Sequence, residues 1–386
     1  MKKKLIFLLH GPLSIREYQT FGVKYLKKKF DLNIVEIGPL VDSRYYEFKR
    51  QFNYKIIKNF SELEKFISLN KGAMCWESGF SFNSIKIAAI LKKYNIKIIS
   101  TDGIASIPIK GLGNKSYIKT LAKRLKLLIF KPLIFLNRVI FFIKAKLRQI
   151  KYKNVDIALI GGESYENYRG YEKAEHKIFC SSLDYSDYVK KKNVKHFKSK
   201  QKFAVFVDTY LPFHPEHHDT QNKFIKADEY FSSLVSFFKL FEKITKLKII
   251  VALYPKADLK KYPKYFKEYK LVSNKIVELI KSCELVMHHG STAQSYAVIF
   301  KKPILFLTSN LMEKNKYLHD NEKWNEFVGS KIININEDNT NFLKKKKKVL
   351  KYNKKLYRDY LKNFLRYKSF GNIPWYEQFS KYFYIK

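Results

Sequence analysis

Short apolar runs alternate with longer amphipathic stretches along most of the chain, and most of the apolar runs end in a polar or glycine-containing turn. Leu5 to Leu9 leads into the turn His10-Gly11-Pro12, then a stretch from Ser14 to Lys29 with Phe21, Tyr25 and Leu26 on one face, then Leu32 to Ile37. This spacing predicts strand, helix, strand. Repeated, such a unit builds a parallel sheet with crossover helices. The first half continues with a helix over Ser61 to Leu69, with Ser61 as cap and Glu64 at the capping-box position, and a short strand over Gly72 to Trp76. A helix over Phe82 to Lys93 follows, then strands over Ile96 to Ser100, Val155 to Ile160 and His176 to Ser181. Asp184 to Lys200 is Lys-rich and has no clear period, which reads as an interdomain linker.

The second half runs in the same way. Phe203 to Val207 and Leu247 to Leu253 read as strands around an amphipathic helix, Ala227 to Ile244, whose core face is Tyr230, Leu234, Phe237, Phe238 and Leu240. A helix over Lys275 to Cys283 precedes the stretch that organises the chain, ELVMHHGSTAQSYAVIFKKPILFLTS from Glu284 to Ser309. There Gly290 breaks a strand, a helical pattern runs from Ala293 to Phe300, and Pro303 introduces a second strand, Ile304 to Leu307. The expected organisation is an N-terminal domain over 1–185, a C-terminal domain over 186–350 and a helical tail over 351–386. Tyr352 to Tyr384 is long enough to cross back onto the first domain.

In open α/β sheets, ligands bind beyond the carboxyl ends of the strands. The residues just past each strand are therefore the candidate site: His10 and Gly11, Glu77, and Asp102 in the first half; Asp208 with His214, Tyr254 with Lys256, and His288, His289, Gly290, Ser291 and Thr292 in the second. Ser291 and Thr292 fall where a helix begins, where hydroxyls and unpaired backbone N–H groups suit a phosphate. A plain N-cap would use the same Ser, but two histidines at the strand end are a poor choice for a purely structural turn.

The pattern of strand, His-x-Gly-Ser-Thr, small-residue helix and Lys-Pro-Ile at 284–309 resembles the donor-binding unit of GT-B glycosyltransferases that build bacterial surface polysaccharides. The resemblance implies an α/β protein of two Rossmann-like domains facing a cleft, with a C-terminal helix crossing back. It also implies that Ser291 and Thr292 bind the phosphate of a nucleotide-sugar donor. Thr101-Asp102-Gly103 resembles the acidic-x-Gly motif of bacterial GT-B sialyltransferases, which implies Asp102 as the base that deprotonates the acceptor. Glu77 is the competing base, and either acid could instead be a turn or capping residue. The His-Pro of those enzymes is Tyr254-Pro255 at the expected strand end, with His214-Pro215 one loop earlier.

No Asp-x-Asp run occurs, so the leaving phosphate is expected to be held without a metal, by Ser291, Thr292, His288 or His289, and Lys256. The histidines and acids of Asp208 to Asp219 lack metal-ligand spacing, and no cofactor is expected. The expected partners are a nucleotide-sugar donor and a glycan or glycolipid acceptor of lipopolysaccharide or capsule. Polyol-phosphate transfer of the teichoic-acid type and sugar-nucleotide epimerisation are alternatives on the same fold. A non-catalytic basic protein binding membrane or RNA is an alternative of another class.

Charge changes this picture in one respect. The formal net charge is +42 over 386 residues, with 46% hydrophobic and 16% aromatic content, so the chain is folded and strongly basic. The excess is mostly Lys, whereas base reading leans on Arg, so an anionic membrane surface is a better expected partner than nucleic acid. Lys115 to Lys153 carries broken apolar runs among Lys and Arg, too interrupted to span a bilayer but suited to an interfacial helix or a basic crossover helix. Cys75, Cys180 and Cys283 form no CxxC pair, and the apolar run after MKKK is short for a signal peptide. The expectation is a cytoplasmic protein, peripheral on the inner face of the membrane.

Overall fold

A computed structural model describes residues 2–41, 50–77, 82–105, 155–168, 171–214, 225–262, 264–314, 324–368, 370 and 373–384. The basic segment 115–153 and most of the histidine-rich loop after His214 lie outside the described residues.

Among the described residues, thirteen strands form two sheets, and every strand pair is parallel. The first comprises β1 (Lys4–Leu9), β2 (Asp31–Glu36), β3 (Lys55–Ile56), β4 (Met74–Glu77), β5 (Lys97–Ser100), β6 (Ile157–Ile160) and β7 (His176–Phe179), in the order β3-β2-β1-β4-β5-β6-β7. The second comprises β8 (Phe203–Val207), β9 (Lys248–Ala252), β10 (Lys270–Val272), β11 (Leu285–His288), β12 (Ile304–Thr308) and β13 (Lys331–Asn334), in the order β10-β9-β8-β11-β12-β13. Both are α/β sheets of the doubly wound kind, and strand order reverses between β1 and β4 and again between β8 and β11.

The central strands β1, β6, β8 and β12 are near-continuous apolar runs, as expected of parallel strands covered on both faces. Along β1, Leu5, Phe7 and Leu9 enter one core and Ile6 and Leu8 the other. Along β8, Phe203, Val205 and Val207 face one way, Ala204 and Phe206 the other. One of these cores also takes in Val155, Ile160 and Tyr185, so the two halves share apolar packing.

Between β1 and β2 the chain forms two helices, α1 (Ile15–Thr20) and α2 (Val23–Lys29), where the apolar period predicts one. The break is at Gly22, whose φ of 64° is left-handed. Ser14 and Glu17 close a capping box at the start of α1. Near residue 60 the cap is Asn59 with Glu62, two residues earlier than the expected Ser61 with Glu64, and Glu64 instead binds Lys93 at 2.6 Å. The expected linker starts as a helix, α3 (Leu183–Lys191), capped by Ser182. Its period is hidden because it buries Ser186 and Asp187 beside Tyr185 and Val189. On the helix over Ala227–Thr245, Phe231 and Phe241 join the core, while Leu240 is half-buried.

The segment after Gly290 is helical as α4 (Gln294–Ile299). The tail begins with α5 (Lys354–Tyr360), which bonds to the second half through the Tyr357 hydroxyl on Lys302 O at 2.9 Å. A π turn over Leu361–Leu365 then redirects the chain, and α6 (Trp375–Tyr384) crosses back onto the first half. There Trp375 Nε1–H donates to Thr20 O at 3.0 Å, and its ring meets Trp76 with centroids 4.6 Å apart.

Candidate functional site

The second sheet's reversal point sets out the site. Beyond β11, the Gly290 N–H donates to His288 Nδ1 at 2.9 Å while Gly290 takes a φ of 115°, a conformation that L side chains rarely adopt. This turn lifts the chain off the sheet. Ser291 Oγ then accepts from Ala293 N at 3.3 Å, and Ser291 O and Thr292 O accept from Gln294 and Ser295 at 3.0 Å each. Among the described residues, no hydrogen bond takes up the backbone N–H of Ser291 or of Thr292. Two donors and two hydroxyls therefore stand at one mouth.

That mouth opens into a cleft of about 540 Å³ between the two halves. The second half contributes Asp208, His214, Tyr254, Lys256, His289 and Gly290 to Thr292; the first contributes Ser14 to Glu17, Thr20 and Ala105; Asp184 of α3 completes the wall. His214 and Tyr254 meet edge to face with centroids 5.3 Å apart, so the two candidates for the His-Pro position share one wall.

The other sequence candidates stand elsewhere. Among the described side chains, those of His10 and Asp102 do not line the cleft, and neither does Gly11. Glu77 ends β4 in register with Leu8 of β1, at the first sheet's reversal point. Asp102 opens the short helix Asp102–Ala105, whose far end reaches the cleft, and its charge adds to burial in holding up the phenols of Tyr165, Tyr168 and Tyr171. His288 is fully buried against Phe306, with centroids 4.9 Å apart, and shapes the turn instead of lining the cleft. Arg16, Glu17 and Asp184 carry no strand-end signal; they reach the cleft from a helix start and from the stretch read as a linker.

Neither histidine is the cation that the sequence suggests. Burial pushes the His288 imidazole down to about 3, with a smaller effect of His289. Burial also pushes His289 down to about 4, partly opposed by its bond to Leu307 O at 2.8 Å. Because a carbonyl only accepts, Nδ1 of His289 carries the proton and Nε2 is an acceptor. Of the residues expected to hold the phosphate, Lys256 remains as a cation lining the cleft. Asp208, at the end of β8, is pushed up to about 6 by burial, against the hydroxyl that Tyr262 donates to it. Among the described residues, no group of three or more His, Cys, Asp or Glu side chains is placed to hold a metal, and no helix is long and apolar enough to cross a membrane.

The depressed histidine has a consequence for stability. His288 is neutral when folded, so the unfolded chain binds more protons once pH drops below about 6.5, and stability falls as pH moves from there toward about 3. His288→Asn keeps an acceptor for the Gly290 N–H. In thermal denaturation across pH 7 to pH 5, we expect this variant to escape a loss on the order of 2 kcal/mol that the parent suffers by pH 5. Parallel curves would show that His288 is not buried neutral.

No protein-family model matches the sequence, and neither does any curated protein. Solved structures do match. A protein from Listeria monocytogenes assigned as a UDP-N-acetylglucosamine 2-epimerase aligns with a TM-score of 0.54 at 11% identity, over 100% of this chain and 98% of its own. The MnaA–UDP co-structure from S. aureus gives 0.50 at 15% identity, over 99% and 97%. A variant of the wall teichoic acid polymerase TagF gives 0.50 at 11% identity, over 99% and 87%. At such identities the likeness establishes the fold: two Rossmann-like domains in the GT-B arrangement.

Proposed function

We propose that this chain binds a nucleotide-activated sugar in the cleft and transfers the sugar to an acceptor hydroxyl held against the first half. The observation that carries this reading is the mouth at Ser291 and Thr292, whose unbonded N–H groups and hydroxyls face a cleft formed at the carboxyl ends of both sheets. The donor phosphates sit there, with Lys256 as the cation. UDP and UDP-N-acetylglucosamine in the names of similar structures support a uridine nucleotide.

In the transfer step the acceptor oxygen attacks the anomeric carbon, its proton passes to a carboxylate, and the bond from that carbon to the phosphate oxygen breaks. The negative charge that grows on the leaving phosphate meets the N–H groups, hydroxyls and ammonium of the mouth. Of the two carboxylates proposed for the proton, Glu77 is favoured by its place at the first sheet's reversal point, ahead of Asp102. Glu77→Gln is expected to bind nucleotide normally and to lose turnover by about 100-fold or more, measured by single-turnover transfer; undiminished turnover moves the role to Asp102.

Alignment over both halves with a 2-epimerase favours a second reading, inversion at a carbon of the same nucleotide sugar. A panel of UDP-, CDP- and CMP-linked sugars, screened by thermal shift and then by product analysis, tests both. Stabilisation by one nucleotide together with a transferred sugar supports the first reading, an epimerised donor the second, and no stabilisation by any nucleotide refutes both. The acceptor is proposed to be a surface glycan, and the net charge of +42 supports docking on anionic membrane.

A further inference from the structure

We infer that Glu17 competes with the ligand's phosphate for Lys256, so that a carboxylate of one half regulates phosphate binding by the other. This rests on the nucleotide-sugar reading and adds to it a residue that sets affinity.

The two oxygens of Glu17 have separate tasks. Oε2 accepts from both the backbone N–H and the hydroxyl of Ser14, at 2.8 Å each, as the return arm of the capping box. Oε1 reaches across the cleft to Lys256 Nζ at 3.0 Å. Because the cap fixes the carboxylate on α1, Glu17 cannot follow Lys256 toward the mouth at Gly290 to Thr292. A lysine carries one mobile point charge on a flexible stem. For that ammonium, a carboxylate and a phosphate oxygen are equivalent acceptors, and moving to one means leaving the other.

The neighbouring cations are held differently. Arg16 pairs with Asp184 at 3.0 Å and stands over the Tyr296 ring at 5.8 Å. Lys191 pairs with Asp187 at 3.1 Å, one turn away on its own helix. Their partner carboxylates are more buried than Glu17, with side-chain exposures of 15% for Asp184 and 1% for Asp187, and would be stranded if the cation left. The Glu17 side chain is 33% exposed and that of Lys256 15%, so their pair is partly screened and cheap to exchange. If it were only an interdomain tie, removing the carboxylate would loosen the closed arrangement and bring no gain in anion affinity.

The test is a double-mutant cycle by calorimetry with inorganic pyrophosphate as the probe, on the parent chain, Glu17→Gln, Lys256→Gln and the double variant. Gln still serves the capping box, so the fold of α1 is kept. Glu17→Gln is expected to tighten pyrophosphate binding roughly 3- to 10-fold, Lys256→Gln to weaken it, and the gain to vanish when both are changed. An equal gain in both backgrounds, which general charge repulsion would give, overturns the inference, as does no gain. If the parent binds neither pyrophosphate nor any nucleotide, the nucleotide-sugar reading itself fails and the inference falls with it. Parent binding without the gain removes the competition alone.

Discussion

A chain carrying both Ser291→Ala and Thr292→Ala is expected to bind a nucleoside diphosphate about 100-fold more weakly than the parent, with little change in melting temperature in the absence of nucleotide. Each hydroxyl can make a charge-assisted bond to a phosphate oxygen, and losing two such bonds costs on the order of 3 kcal/mol. Little in the fold depends on them: the only bond that the Ser291 hydroxyl makes among the described residues is a 3.3 Å turn bond from Ala293 N. Calorimetric titration with UDP measures the loss directly. Affinity within threefold of the parent would move the phosphates away from this mouth.

Gly22→Ala is expected to cost about 3 kcal/mol of stability, although it adds only one methyl group. The residue has a φ of +64°, and a Cβ there would stand 2.2 Å from Cδ1 and 2.3 Å from Cγ of Tyr376. The ring must move, and with it α6, which is also tied to the end of α1 by the bond from Trp375 to Thr20 O. Because α1 presents Arg16 and Glu17 to the cleft, nucleotide affinity should fall as well. Chemical denaturation should show a clear drop in midpoint, and limited proteolysis should release the C-terminal residues first. An unchanged midpoint would mean that α6 is not packed against Gly22.

The strands could be read from the sequence because a parallel sheet covered on both faces needs unbroken apolar runs, and Leu5 to Leu9, Phe203 to Val207 and Ile304 to Leu307 are such runs. The mouth was legible because Gly290 with Ser291 and Thr292 is a local arrangement. Four features were not. The split between α1 and α2 depends on Tyr376, more than 350 residues away, which packs where only glycine fits. The helix at 183–191 escaped detection because Asp187 is buried by Tyr296, whose hydroxyl donates to it at 2.9 Å, and periodicity counts an Asp as exposed. His288 and His289 looked like phosphate ligands because a sequence does not reveal burial; enclosed by Phe306 and by Phe206 and Tyr230, they are neutral. Arg16 and Glu17 were missed for a related reason: a helix start that faces another domain has the same signature as one that faces water.

The role of the cleft depends on the nucleotide's phosphates sitting at the mouth after Gly290. A crystal structure with a bound nucleoside diphosphate should place phosphate oxygens within hydrogen-bonding distance of the Ser291 and Thr292 N–H groups, in the cleft and beside Lys256. Phosphates bound outside the cleft, with those two N–H groups left in solvent at saturating nucleotide, would contradict it.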